Sequence, residues 1–176
     1  VASSGSTDTL RNFETITFND QTVQIVGAGG HADIAAASAA ASSGDSVLVE
    51  SPAAVSVATA ETIASKTLTF ENSVTLTELA DTKAALEGAT LSDAAFTSFT
   101  TISNTQTGST ATLNAGELGT RAVTLGGSGD ITVTGDATEL LALDAAVYNS
   151  ADTLILNDTA TAISGLSSGD ITDLVD

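Results

Sequence analysis

The stretch Asp130-Ile131-Thr132-Val133-Thr134-Gly135-Asp136 decides how this chain is read. An acidic residue opens a short run that alternates aliphatic with polar side chains, and a second acidic residue closes it. The same frame returns at Asp152-Thr153-Leu154-Ile155-Leu156-Asn157-Asp158 and at Asp170-Ile171-Thr172-Asp173-Leu174-Val175-Asp176. The starts lie about 22 and then 18 residues apart, within the range of repeat proteins. A unit this thin cannot bury its apolar face alone and needs a neighbour to cover it.

Working outward, Asp45 to Glu50 and Lys66 to Asn72 carry the same strand-plus-link logic, about 21 residues apart. Val74-Thr75-Leu76, Thr110 to Leu113 and Ala122 to Leu125 add further strand signals. Near the start, Phe13 to Phe18 and Thr22 to Val26 alternate in polarity around the turn residues Asn19-Asp20, which predicts a hairpin. His31 to Ser42 is rich in Ala and predicts a helix. A second helix is expected over Glu78 to Glu87, with Thr77 as its N-cap and Gly88 at its end. The expected fold is therefore mainly β, a β-solenoid-like or stacked-strand repeat with short helical links. Residues 1–44 form an N-terminal arm, hairpin and Ala-rich helix that cap the stack or serve assembly, and 45–176 form the degenerate β-repeat region.

Composition supports a folded, thin-layered chain. A mean hydropathy of +0.26 separates it from disordered sequences of comparable charge. There is no Trp, Met or Cys, and only one Tyr and five Phe, so the core must be built from small aliphatic side chains. The four Lys and Arg against 22 Asp and Glu give a formal charge of -18. Such a chain lacks the basic footprint that phosphate backbones require, which excludes nucleic acid as a partner. No apolar run is long enough to insert in a membrane. Divalent cations are the natural partners, because they cancel self-repulsion and bridge carboxylates. A sequence beginning at Val1 is expected to be processed or part of a longer chain.

The paired acids are the candidate site. If the strands stack in register, Asp130, Asp136, Asp152, Asp158 and Asp170 would form columns of oxygen ligands, a donor set suited to Ca²⁺. The plainer reading is that Asp favours turns and helix N-caps. Gly126-Gly127-Ser128-Gly129-Asp130-Ile131 is similar to a calcium-binding nonapeptide, but its Asp arrives one residue early and it occurs once, so a glycine turn before a strand explains it more simply. The Thr-X-Thr pairs, such as Thr67/Thr69 and Thr132/Thr134, are spaced too irregularly for an ice-binding face and follow from β-propensity. His31, the single histidine, has no nucleophile beside it in sequence. Gly27-Ala28-Gly29-Gly30 lacks the third glycine of a dinucleotide loop. Paired carboxylates without Trp or nearby Arg do not specify a glycosidase. Asn157-Asp158-Thr159 is a single N-glycosylation sequon. No residue set points to an enzyme.

Short Ile/Leu/Val-Thr strands ending in Asp, separated by Ala/Leu links such as Ala137 to Ala146, resemble the repeat regions of large bacterial cell-surface proteins. These include RTX-type adhesins, S-layer proteins and extracellular fibre proteins. The resemblance covers about residues 45 to 176 and is one of rhythm and composition, without a diagnostic motif. It implies secretion to the cell surface, calcium as cofactor, and assembly of the protein with itself into fibres or layers. A monomeric calcium-binding adhesin spacer is the alternative it implies. An ice- or carbohydrate-binding module is a third reading, weakened by the single Tyr148.

Overall fold

The structure is a computed structural model and describes residues 13–27, 29–71 and 74–175. The chain divides into two compact units, Val1–Ala53 with Glu61–Thr75 and Ala54–Ala60 with Leu76–Asp176.

In the first unit, β1 (Thr15–Thr17) and β2 (Thr22–Val26) form the antiparallel hairpin foreseen from the sequence. The helix α1 (Ile34–Ala40) follows, with the Asp33 side chain accepting from the Ala36 N–H as its N-cap. The strand β3 (Ser46–Val49) then returns parallel to β2. After α2 (Val57–Lys66), which spans the division between units, β4 (Thr69–Phe70) pairs parallel with β3. The sheet order is β1-β2-β3-β4. Val23, Val26 and Val47 are buried in it, as are Ile34 and Ala37 of α1. Lys66 Nζ donates to the carbonyls of Ser38, Ala39 and Ala41, which satisfies the C-terminal end of α1.

The second unit holds two parallel three-stranded sheets. In chain order its elements are β5 (Glu78–Asp81), α3 (Lys83–Gly88), β6 (Thr101–Asn104), β7 (Thr110–Asn114), α4 (Ala115–Leu118) and β8 (Thr124–Gly127). They continue with β9 (Asp130–Gly135), α5 (Ala137–Leu141), α6 (Ala145–Ser150), β10 (Thr153–Leu156), α7 (Ala160–Ser164) and α8 (Ser168–Val175). The sheet orders are β5-β6-β8 and β10-β9-β7. Leu79, Ile102, Leu118, Ile131, Val133 and Leu140 are among its buried side chains. Phe96 and Phe99 are buried too, in the turns that lead to β6.

The expectation of a mainly β, solenoid-like stack is overturned. Helix accounts for 31% of the chain against 28% strand, and the strands fall into three small sheets with no closed or solenoid sheet. The helical links take up as much of the chain as the strands do, and five of those helices start at a side-chain N-cap. Asp33, Asn114, Asp136, Asp144 and Thr159 each accept an N–H in the first turn of a helix. The expected third strand copy at 170–176 is likewise corrected. Residues 168–175 form α8, where Asp170 lies in the first turn and the Asp170 N–H donates to Ser167 Oγ. The helix expected over Glu78 to Glu87 splits, because Glu78–Asp81 pairs with Thr101–Asn104 and helix begins only at Lys83. Val74 to Thr77 is irregular.

Candidate functional site

Four aspartates share one device. Each stands opposite a residue in the preceding parallel segment and accepts that residue's backbone N–H. Asp45 Oδ1 accepts from Thr22 (3.3 Å), Asp81 Oδ2 from Val57 (3.0 Å), Asp152 Oδ2 from Ile131 (2.7 Å) and Asp158 Oδ2 from Ala137 (3.2 Å). The registers Val23↔Ser46, Val55↔Leu79 and Thr132↔Thr153 fix that placement. A carboxylate supplies a charge-assisted acceptor for an N–H in β2 or β9, or at the first residue of α2 or α5. Sequence reading singled out Asp152 and Asp158 as candidate ligands and did not single out Asp45 or Asp81.

The other three candidate acids sit in separate settings. Asp136 caps α5 through a capping box: its Oδ1 accepts from the Glu139 N–H, while Glu139 Oε2 accepts from the Asp136 N–H. Asp170 Oδ2 accepts from the Ser167 N–H at 2.8 Å, and the bonds to Ser167 hold its carboxyl below the ordinary carboxylate value. Asp130 opens β9 with an exposed side chain. Among the described residues no three His, Cys, Asp or Glu side chains come together as a group able to hold a metal ion.

One depression gathers polar groups at the carboxyl ends of β7, β9 and β10. It is lined by Asn114, Thr134, Gly135, Asp136, Glu139 and Asn157 and has a volume of about 280 Å³. Of the five candidate acids, only Asp136 lines it. Glu139, Asn114 and Asn157 were not singled out from the sequence; their shared position after register-matched strands was the available signal. The lining offers carboxylate, amide and hydroxyl oxygens and no basic side chain. That donor set suits a hard cation or a hydroxylated molecule, and it contains no nucleophile paired with a base.

The sheet edges of the second unit are treated unequally. At β5, Val55 acts as a one-residue strand: its N–H donates to Glu78 O and its carbonyl accepts from Ala80 N. At β8, Ser150 Oγ accepts the Leu125 N–H at 2.8 Å. At β7, Lys83 Nζ donates to Thr110 O (2.6 Å) and Glu87 Oε1 accepts from Thr112 N (2.8 Å). Among the described residues no strand pairs with the side of β10 turned away from β9, and Ile155 on that strand is 46% exposed. The first unit's edge strands, β1 and β4, are only three and two residues long.

The three basic residues among those described, Lys66, Lys83 and Arg121, all donate to backbone carbonyls. The acidic excess is therefore met by little internal cationic charge; Lys83–Glu87 is the ion pair the described residues contain. His31 Nε2 lies 2.8 Å from Oε1 of the buried Gln24. No known protein family, curated protein or solved structure matches the chain. No helix among the described residues is long and apolar enough to cross a membrane.

Proposed function

We propose that this chain is a non-enzymatic, extracellular structural module that assembles with copies of itself into a fibre or surface layer, assisted by divalent cations. The observation that carries the reading is the unequal treatment of the sheet edges. β5, β7 and β8 each have one or two outward backbone groups occupied by other parts of the chain, whereas β10 presents an edge unpaired among the described residues. An exposed strand edge is a template for another strand, and proteins that stay monomeric blunt such edges.

The formal charge of -18 supports the role of cations, because like-charged copies repel until counter-ions bridge or screen them. Secretion and a cell-surface location rest on the resemblance of the repeats to bacterial surface proteins. A calcium-binding adhesin spacer is the second reading, favoured by the oxygen-lined depression around Asp136 and Glu139.

Sedimentation velocity over a concentration series, with calcium and then with a chelator, tests the proposal. Assemblies that grow with concentration and calcium support it. A monomer under every condition removes self-assembly, and a calcium-dependent stabilisation of that monomer would favour the spacer.

A further inference from the structure

The depression at the carboxyl ends of β7, β9 and β10 carries more hydrogen-bonding capacity than the fold uses. All six of its lining residues belong to the described part of the second unit. Register brings them together. Asn114 pairs with Thr134, and Gly135 pairs with Leu156, whose successor Asn157 donates its N–H to Gly135 O at 2.8 Å. The capping box at the start of α5 then fixes Asp136 and Glu139 beside them.

Each capping side chain commits one polar atom to the fold. Asn114 Oδ1 accepts from the Gly116 N–H, Asp136 Oδ1 from the Glu139 N–H, and Glu139 Oε2 from the Asp136 N–H. Asn114 Nδ2, Asp136 Oδ2 and Glu139 Oε1 are left without a partner among the described residues, as are the Thr134 hydroxyl and the Asn157 amide. Gly116 leaves room for the Glu139 carboxylate, because a Cβ there would lie 2.5 Å from Glu139 Oε1.

These free atoms select a ligand class. The two amides donate and accept, the two carboxylates only accept, and the hydroxyl does both. No basic side chain lines the depression, so an anion finds no partner for its charge. A bare cation is disfavoured, since no three His, Cys, Asp or Glu among the described residues come together as a metal-holding group. A neutral molecule with neighbouring hydroxyls suits every free atom: its O–H groups donate to the carboxylates, and its oxygens accept from the amides. The volume of about 280 Å³ lies at the lower limit of small-molecule pockets and admits a single ring.

We propose that this depression binds one ring of a neutral sugar through Asn114, Asp136, Glu139 and Asn157. The site goes beyond self-assembly, and neither reading needs the other. No aromatic side chain lines the depression, so hydrogen bonds alone hold the ring and the Kd is on the order of 1 mM.

The side-chain amide signals of Asn114 and Asn157 in proton–nitrogen NMR spectra report on the depression directly. The full chain is titrated with the methyl glycosides of glucose, galactose and mannose, and separately with calcium chloride, beside the variants Asn157→Ala and Glu139→Gln. Both variants keep the bonds of the fold: the Asn157 side chain bonds to none of the described residues, and the new amide oxygen at 139 still accepts the Asp136 N–H. Saturable shifts of both signals are expected with at least one glycoside, and binding about tenfold weaker in each variant. Saturation by calcium with none by the glycosides overturns the sugar and favours the cation-binding spacer. No saturable shift with any probe, or undiminished affinity in both variants, overturns the site and leaves self-assembly standing.

Discussion

Lys83 and Glu87, one helical turn apart on α3 and joined by a 3.0 Å ion pair, together present to β7 the donor and the acceptor of a single strand residue. Lys83 Nζ takes the carbonyl of Thr110, and Glu87 Oε1 takes the N–H of Thr112. Val55 makes the same two bonds to β5 with its own backbone, donating to Glu78 O and accepting from Ala80 N. The side-chain pair therefore imitates a strand residue and closes an edge without adding a strand. Charged side chains at a sheet edge are a known protection against unwanted pairing, and this pair also occupies the backbone groups themselves.

That arrangement predicts a pH-dependent contribution. The Lys83 ammonium, then the Thr112 N–H, holds the Glu87 carboxyl below its ordinary value of 4.5. A carboxyl lowered in the folded state adds stability above its unfolded value, and that stability is lost as pH falls through the folded one. Glu87→Gln should therefore unfold at lower urea than the parent at pH 7, by under about 1 kcal/mol because both side chains are partly exposed. The gap should close as the pH is lowered through and below 4.5. A gap that stays constant with pH would remove the ionised carboxylate from the account.

Asp152 carries the second prediction. Its carboxylate accepts the Ile131 N–H at 2.7 Å, and Ile131 itself is fully buried. Asp152→Ala leaves that N–H without its partner at a strand start, a loss of about 1–2 kcal/mol. Asp152→Asn keeps a neutral acceptor and should lose less. Hydrogen exchange at the Ile131 amide reads the bond directly, and it should accelerate more in the Ala variant than in the Asn variant. Unchanged protection in both would show that the carboxylate does not hold this N–H.

Much of the strand pattern was legible in the sequence, and the architecture was not. Ser46–Val49, Thr110–Asn114, Asp130–Gly135 and Thr153–Leu156 show alternation or β-branched runs that local rules detect. Thr101–Asn104 was missed because it ends in Ser103 and Asn104, polar residues that nonetheless are buried. The signal for it was long-range. Paired residues are 23 apart in Val23↔Ser46 and Ser46↔Thr69, and again in Glu78↔Thr101 and Thr101↔Thr124. Five of the helices start at a capping side chain, whereas α3 follows Thr82 without one, so local caps alone do not decide which links coil. The candidate acids were visible as a pattern, but the backbone N–H groups that Asp152 and Asp158 accept depend on strand register, which alternation alone does not set.

Arg121 supplies a third prediction. Its guanidinium donates from Nε to Leu118 O (3.2 Å), from Nη1 to Phe96 O (3.1 Å) and from Nη2 to Leu91 O (3.0 Å). The fork thus ties the turns around the buried Leu91 and Phe96 to the end of α4. An ammonium carries its donors on one nitrogen, as Lys66 does at the end of α1, and cannot reproduce a contact that Arg121 makes with three separate nitrogens. Arg121→Lys should lose about 2 kcal/mol despite keeping the charge, measured by urea unfolding. Equal stability would mean that charge, and not the fork, is what the site requires.

The glycine-rich stretch before β9 gives the last prediction. Gly127 adopts φ +116°, and a Cβ there would lie 2.2 Å from Asn104 O and 2.7 Å from Asn104 N. The turn is wrapped this closely because Ser128 N and Gly129 N both donate to Asn104 O, while Asn104 Nδ2 donates to Asp130 O. Asn104 is fully buried, so it has little room to yield. Gly127→Ala should therefore destabilise by more than about 2 kcal/mol, from backbone strain and collision together. The adjacent Gly126 has nothing within 4 Å of a Cβ, so Gly126→Ala should be neutral or stabilising by up to about 1 kcal/mol. The contrast between neighbouring glycines, read by urea unfolding of the two variants side by side, separates the strained backbone and close approach at Gly127 from any general effect of removing glycine. Similar losses in both would mean that neither the positive φ nor the approach of Asn104 requires glycine at this turn.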